Sequence, residues 1–259
     1  MVIVSTSIKG GVGKSSLVLL LANNLASRGH KVLVVDMDLN NTSTIYYTMG
    51  IKNVQEVWER QNIMIAMTQG RVEENIVHSR IKNVDVIPSS LSLCNIRSID
   101  YRVLKKVLEE VKGSYDYIVI DTSPTYDNLV MNAINAADLV LNPVELTEYA
   151  CNMSLFLMTK IQEELPDKYE NTFIIYNKWD ERYRTYPNTV QSQVQKLFEK
   201  TFGNILDIRL ANCYSFNRYT HFDERLKFSA KSKGTVRLVQ AVNDLVDQIT
   251  REKNFIEEF

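Results

Sequence analysis

The chain predicts an α/β fold: a doubly wound, mostly parallel β-sheet with helices on both faces. Three observations lead there. Short apolar, β-branched runs alternate with longer stretches of helical spacing. The runs are continuously apolar rather than alternating, as strands covered on both faces require. A glycine-rich turn follows the first run and opens the first helix, and such sheets bind ligands at the carboxyl ends of their strands.

The strand runs are VIV at 2–4, KVLVVD at 31–36, VDVIP at 84–88, YDYIVID at 115–121, DLVLNPV at 138–144 and TFIIYN at 172–177. Between the first two lies KSSLVLLLANNLASRGH, where Leu17, Leu20, Leu21 and Leu25 recur at helical spacing. Gly29 follows where a helix end favours a residue free to take positive φ. Further helices are expected at about 101–112, 147–165, 188–201 and 234–252. Residues 39–83 yield no assigned element.

The 259 residues could build one large domain or two small ones. The five prolines are scattered, and no repeat or low-complexity segment divides the chain, so a single domain over 1–259 is expected. With 45% hydrophobic and 24% charged residues the composition is that of an ordinary globular protein. A net charge of −1 excludes a globally basic nucleic-acid binder, so DNA binding would need a local patch or assembly. The start of the chain lacks a basic segment followed by an apolar one, so no signal peptide is expected. No run approaches the ~20 apolar residues of a membrane span. Cys94, Cys151 and Cys213 lie far apart, fit a reducing cytoplasm and form no CxxC motif.

The turn reads IKGGVGKSS. Between a strand and a helix, its glycines let the backbone N–H groups of Gly10, Gly11, Val12 and Gly13 converge on phosphate oxygens, and the helix N-terminus adds a favourable dipole. Lys14 would bridge the β- and γ-phosphates, the Ser15 hydroxyl would ligate Mg²⁺, and Ser16 would reach the α-phosphate. The plainer alternative is an ordinary Gly-rich turn. In VLVVDMDLNN, Asp36 and Asp38 stand two apart, on the same side of an extended chain. Paired carboxylates beside a triphosphate make sense if they manage Mg²⁺ or a water; otherwise they cap the next turn. The buried-type strand YDYIVID ends in Asp121, suited to hold Mg²⁺ through a coordinated water.

Position 8 carries Ile8 where the common phosphate-loop pattern has glycine, and Lys9 is added beside it. KGGVGKSS thereby resembles the deviant Walker A box of the ParA/MinD family of P-loop ATPases. The resemblance implies that Lys9 reaches across a nucleotide-sandwich homodimer to the partner's phosphates, while Lys14 serves its own. It also implies ATP and Mg²⁺ as ligands and a P-loop NTPase fold. By the same resemblance Asp38 matches the aspartate that orients or activates the attacking water, Asp36 supports the metal, and Asn177 touches the adenine base. Asn40 stands where the family has glutamine, and Asp121-Thr122-Ser123-Pro124 departs from its DxPP. The likeness extends over 127–161 and 231–249, the latter resembling the C-terminal helix of short, Soj-like ParA proteins. With the first strand starting at Val2, the N-terminal helix-turn-helix of longer ParA proteins is not expected.

Residues 225–240 hold Arg225, Lys227, Lys231, Lys233 and Arg237 with no acid. Alone, this is most often a solvated helix face. The resemblance makes Arg218, Lys227, Lys231, Lys233 and Arg237 candidates for non-specific DNA binding in an ATP-bound dimer, where doubling the patch multiplies phosphate contacts. It further implies a ParB-like activator that stimulates slow hydrolysis, and a cytoplasmic, nucleoid-associated protein that segregates plasmid or chromosomal DNA. A MinD-like ATPase working on a membrane or protein surface is the alternative, but the tail REKNFIEEF is short and carries three acids. No stable membrane association is therefore expected. Iron–sulfur-carrying relatives need paired cysteines, which are missing from the pattern, and a tyrosine-kinase relative needs a terminal tyrosine cluster, whereas the last tyrosine is Tyr219.

Overall fold

The computed structural model describes residues 1–180, 189–213 and 233–257. The first half runs β1 (Val2–Ser5), α1 (Lys14–Ser27), β2 (Val32–Met37), α2 (Thr42–Thr48), α3 (Val54–Arg60), α4 (Ile63–Gln69), β3 (Val77–His78), β4 (Val84–Ile87) and α5 (Val103–Glu109). Then come β5 (Tyr117–Thr122), α6 (Asn128–Ala136), β6 (Leu139–Val144), α7 (Glu148–Glu164) and α8 (Pro166–Tyr169). The last described elements are β7 (Thr172–Trp179), α9 (Val190–Thr201), β8 (Ile205–Ala211) and α10 (Lys233–Glu257).

The strands form one eight-stranded sheet in the order β3-β4-β2-β5-β1-β6-β7-β8. All neighbours are parallel except β3, which runs antiparallel to β4 at the edge. The expected doubly wound sheet is thus present. Strand residues alternate between its faces, and both faces are covered, which is why the runs are continuously apolar. Ile3 packs with α1, α2 and α10, whereas Val4 packs with α4, α5, α6 and α7. A smaller cluster joins α7, β7 and α9 around Phe198. Helix α1 lies in the core, with Leu17, Leu21 and Leu25 fully buried, each contributing roughly 1.5–3 kcal/mol of transfer free energy. It ends at Gly29, whose φ of 95° needs a residue without Cβ strain.

Several elements lay outside the sequence reading, β3 and α8 among them, and two cases have a plain physical cause. Strand β8 alternates rather than running continuously apolar, because it is an edge strand: Asp207 projects to solvent while Leu206 and Leu210 are buried. Helices α2, α3 and α4 are seven residues each, about two turns. That is too short for a 3.6-residue period to stand out. No helix of the described residues is long and apolar enough to cross a membrane.

Candidate functional site

The site is built at the carboxyl ends of β1, β2 and β5. Register sets Ser5 beside Asp121 and Asp121 beside Asp36, so three strand ends finish level. From β1 the chain enters the glycine loop, in which Gly11 and Gly13 take φ of 72° and 97°. Gly13 leads into α1, whose first turn carries no acid and no side-chain cap. Its amides are left for an anion.

Lys14 is 6% exposed, and burial lowers its pKa, opposed by the charges of Asp121 and then Asp38. A buried ammonium that feels two carboxylate charges, next to an anion-binding loop, is suited to a phosphate. Asp121 is fully buried, and Oδ2 accepts from the Ser43 hydroxyl at 2.7 Å. Oδ1 makes no geometrically sound hydrogen bond, although the Ser15 hydroxyl is near enough to favour the charged form. Desolvation nonetheless raises the Asp121 pKa, with Asp38 adding to it. Asp36 is raised too, by burial first and by the Asp121 charge second. Its Oδ1 accepts from the Asp38 amide at 2.9 Å, and its Oδ2 from the Thr44 amide and hydroxyl, both at 2.7 Å. Asp36 therefore ties α2 to the strand ends.

These residues fit a hard cation. An orphaned buried carboxylate oxygen, a neighbouring hydroxyl and two carboxylates strained by mutual repulsion are what Mg²⁺ relieves. Among the described residues no group of three or more His, Cys, Asp or Glu side chains could hold a metal alone, so phosphate oxygens and water would complete the shell.

Asp38 is 5% exposed, and its hydrogen bonds fall on one oxygen. Oδ1 accepts from the Asn40 amide, the Asn40 side-chain Nδ2 and the Ser123 hydroxyl, each at 3.1 Å. Lys9 lies apart: its Nζ donates to Thr147 Oγ1 at 3.1 Å, on the hydroxyl that also caps α7 by accepting from the Ala150 amide. Asn177, at β7, donates from Nδ2 to Val12 O at 2.7 Å. With Gly13, Ser16, Leu210, Cys213 and Leu238 it lines a cavity of about 240 Å³ beside the loop, roomy enough for an aromatic base.

The structure thus brings Lys14, Ser15, Asp36, Asp38 and Asp121 together, sets Ser16 and Asn177 at the adjoining cavity, and holds Lys9 outside. Lys233 and Arg237 are exposed on the first turns of α10, four residues apart and so on one face. Arg218, Lys227 and Lys231 lie outside the described residues. Sequence reasoning missed Ser43, Thr44 and Thr147. Their signal was weak: a hydroxyl-rich TST after the aspartate pair, and a threonine before a helix.

A family model described as "AAA domain" matches residues 1–174. The sporulation initiation inhibitor protein Soj of Bacillus subtilis is 34% identical over 177 residues, covering 66% of this chain and 68% of Soj. The chromosome partitioning protein ParA of Myxococcus xanthus is 27% identical, covering 87% of this chain and 81% of that one. Among solved structures, a putative plasmid partition protein of Borrelia burgdorferi bound to AMPPNP superposes with a TM-score of 0.79 at 25% identity, covering 95% and 98% of the two chains.

Proposed function

Since the chain belongs to this AAA-domain family of P-loop ATPases and is ParA/Soj-like, we propose that it is a partition ATPase that dimerises on ATP and binds DNA non-specifically in that state. A ParB-like activator then stimulates slow hydrolysis and release, moving plasmid or chromosomal DNA. The observation that carries the reading is the division between two lysines. Lys14 is buried among the carboxylates of its own site, whereas Lys9 is held at Thr147, away from them.

In this reading the amides of Gly10, Gly11, Val12 and Gly13 cradle the phosphates, Lys14 bridges the β- and γ-phosphates, and Ser16 contacts the α-phosphate. Ser15 and Asp121, the latter through water, hold Mg²⁺, and Asp36 supports them by fixing α2. When bound, the cation neutralises charge that builds on the phosphates. Asp38 orients the attacking water. Asn177 meets the base in the adjoining cavity. Lys9 leaves Thr147 and reaches the partner's phosphates, so hydrolysis competence requires the dimer. Lys233 and Arg237, with Arg218, Lys227 and Lys231, supply the DNA surface, doubled by dimerisation.

The test is sedimentation velocity and DNA retardation with ATP and with ADP. Dimer and retarded DNA with ATP alone, trapped by Asp38→Ala, support the reading. Nucleotide-independent DNA binding, or none at low salt, refutes it, and binding to anionic liposomes instead favours the MinD-like alternative.

A further inference from the structure

The two positions at which this chain departs from the motifs it resembles meet at one atom. Asn40, where the family has glutamine, and Ser123, where it has proline, both donate to Asp38 Oδ1. A proline at 123 has no hydroxyl to give. The Ser123 hydroxyl also accepts from the Leu39 amide at 3.3 Å, so it is fastened to the backbone next to the aspartate it serves. Asn40, a methylene shorter than glutamine, folds back so that its own amide and its side chain bind the same oxygen.

We propose that Ser123, assisted by Asn40, is a positioning residue for hydrolysis: it pins Asp38 Oδ1 so that Oδ2 alone faces the attacking water. The inference rests on the ATPase reading above. Among the described residues three donors reach Oδ1, the Ser123 hydroxyl lying closer to it at 3.1 Å than to Met37 O at 3.4 Å, and none reaches Oδ2, although the carboxylate's charge is felt by Lys14. A carboxylate on a freely turning χ2 would exchange its oxygens; one held by a serine and an asparagine from separate segments does not. Ser123 stands two residues after Asp121, just past the end of β5, so one short segment sets the metal-side carboxylate and holds the water-side one. Metal and water are thereby registered to each other, which is worth rate because positioning supplies most of phosphoryl-transfer catalysis.

The experiment measures single-turnover MgATP hydrolysis and MgATP affinity on the full chain, wild type and variants. Ser123→Ala is expected to lower the hydrolysis rate by about ten- to a hundredfold, the worth of a hydrogen bond to a charged group, with the dissociation constant for MgATP changed less than about twofold. Ser123→Thr, which keeps the hydroxyl, restores the rate. In an Asp38→Asn background Ser123→Ala has no further effect. An unchanged rate in Ser123→Ala, or an equal fall in the Asp38→Asn background, overturns the inference. If Ser123→Ala does not fold, Asn40→Ala is read by the same criteria, with a smaller loss because the backbone donor survives. Wild-type protein that does not hydrolyse MgATP removes the ATPase reading itself; wild-type hydrolysis with an indifferent Ser123 removes this inference alone.

Discussion

Gly11 and Gly13 make a controlled comparison within one loop. Both take positive φ, 72° and 97°, so alanine at either meets left-handed strain of the same order, about 1–2 kcal/mol. Their surroundings differ. A Cβ at Gly11 meets nothing within 4 Å, whereas one at Gly13 arrives 2.2 Å from Asn177 Nδ2. That contact can be relieved only by moving Asn177 off Val12 O, to which it donates at 2.7 Å. Losing the hydrogen bond costs about 0.5–1.5 kcal/mol. Gly13→Ala should therefore destabilise by about 1 kcal/mol more than Gly11→Ala, and the excess should vanish in an Asn177→Ala background, where the clash has no partner. The assay is urea unfolding of nucleotide-free protein, followed by circular dichroism. Equal losses at the two glycines, or an excess that survives Asn177→Ala, would show that Asn177 does not set the difference.

Other consequences follow from the same geometry. Asp36 has a raised pKa in the folded chain, so the folded state binds more protons than the unfolded one between the ordinary carboxylate range and the raised value. Stability without nucleotide should fall as pH rises from about 5 to about 8, and thermal melts of Asp36→Asn should show a flatter dependence. Leu21 is fully buried on α1, and Leu21→Ala should cost about 2–5 kcal/mol in denaturant unfolding. Lys233→Ala and Arg237→Ala should each reduce the slope of log affinity against log salt by about one for a non-specific duplex with ATP present, measured by fluorescence anisotropy.

What could be read from the sequence was what is local or periodic. Continuous apolar runs marked six strands, and the loop's glycines with Lys14 and Ser15 marked the turn between β1 and α1 around which the candidate site is built. Contacts between distant segments were not readable. Ser43 reaches Asp121 across 78 positions, Ser123 reaches Asp38 across 85, and Lys9 reaches Thr147 across 138. No period or spacing encodes such pairs; they exist because parallel strands end level at one edge. Strand β8 was missed for a different reason: with one neighbour and a solvent-facing side, it needs no continuous apolar run.

In the proposed dimer Lys9 acts on the nucleotide of a second subunit. The most direct test is Lys9→Ala, with MgATP affinity measured on the monomer and ATP-dependent dimerisation and hydrolysis measured in parallel. Monomer affinity should stay within about twofold, because Lys14 and the loop amides carry binding, while ATP-dependent dimerisation and hydrolysis are lost. Loss of monomer affinity together with hydrolysis would place Lys9 in its own subunit's site and rule out action across the dimer.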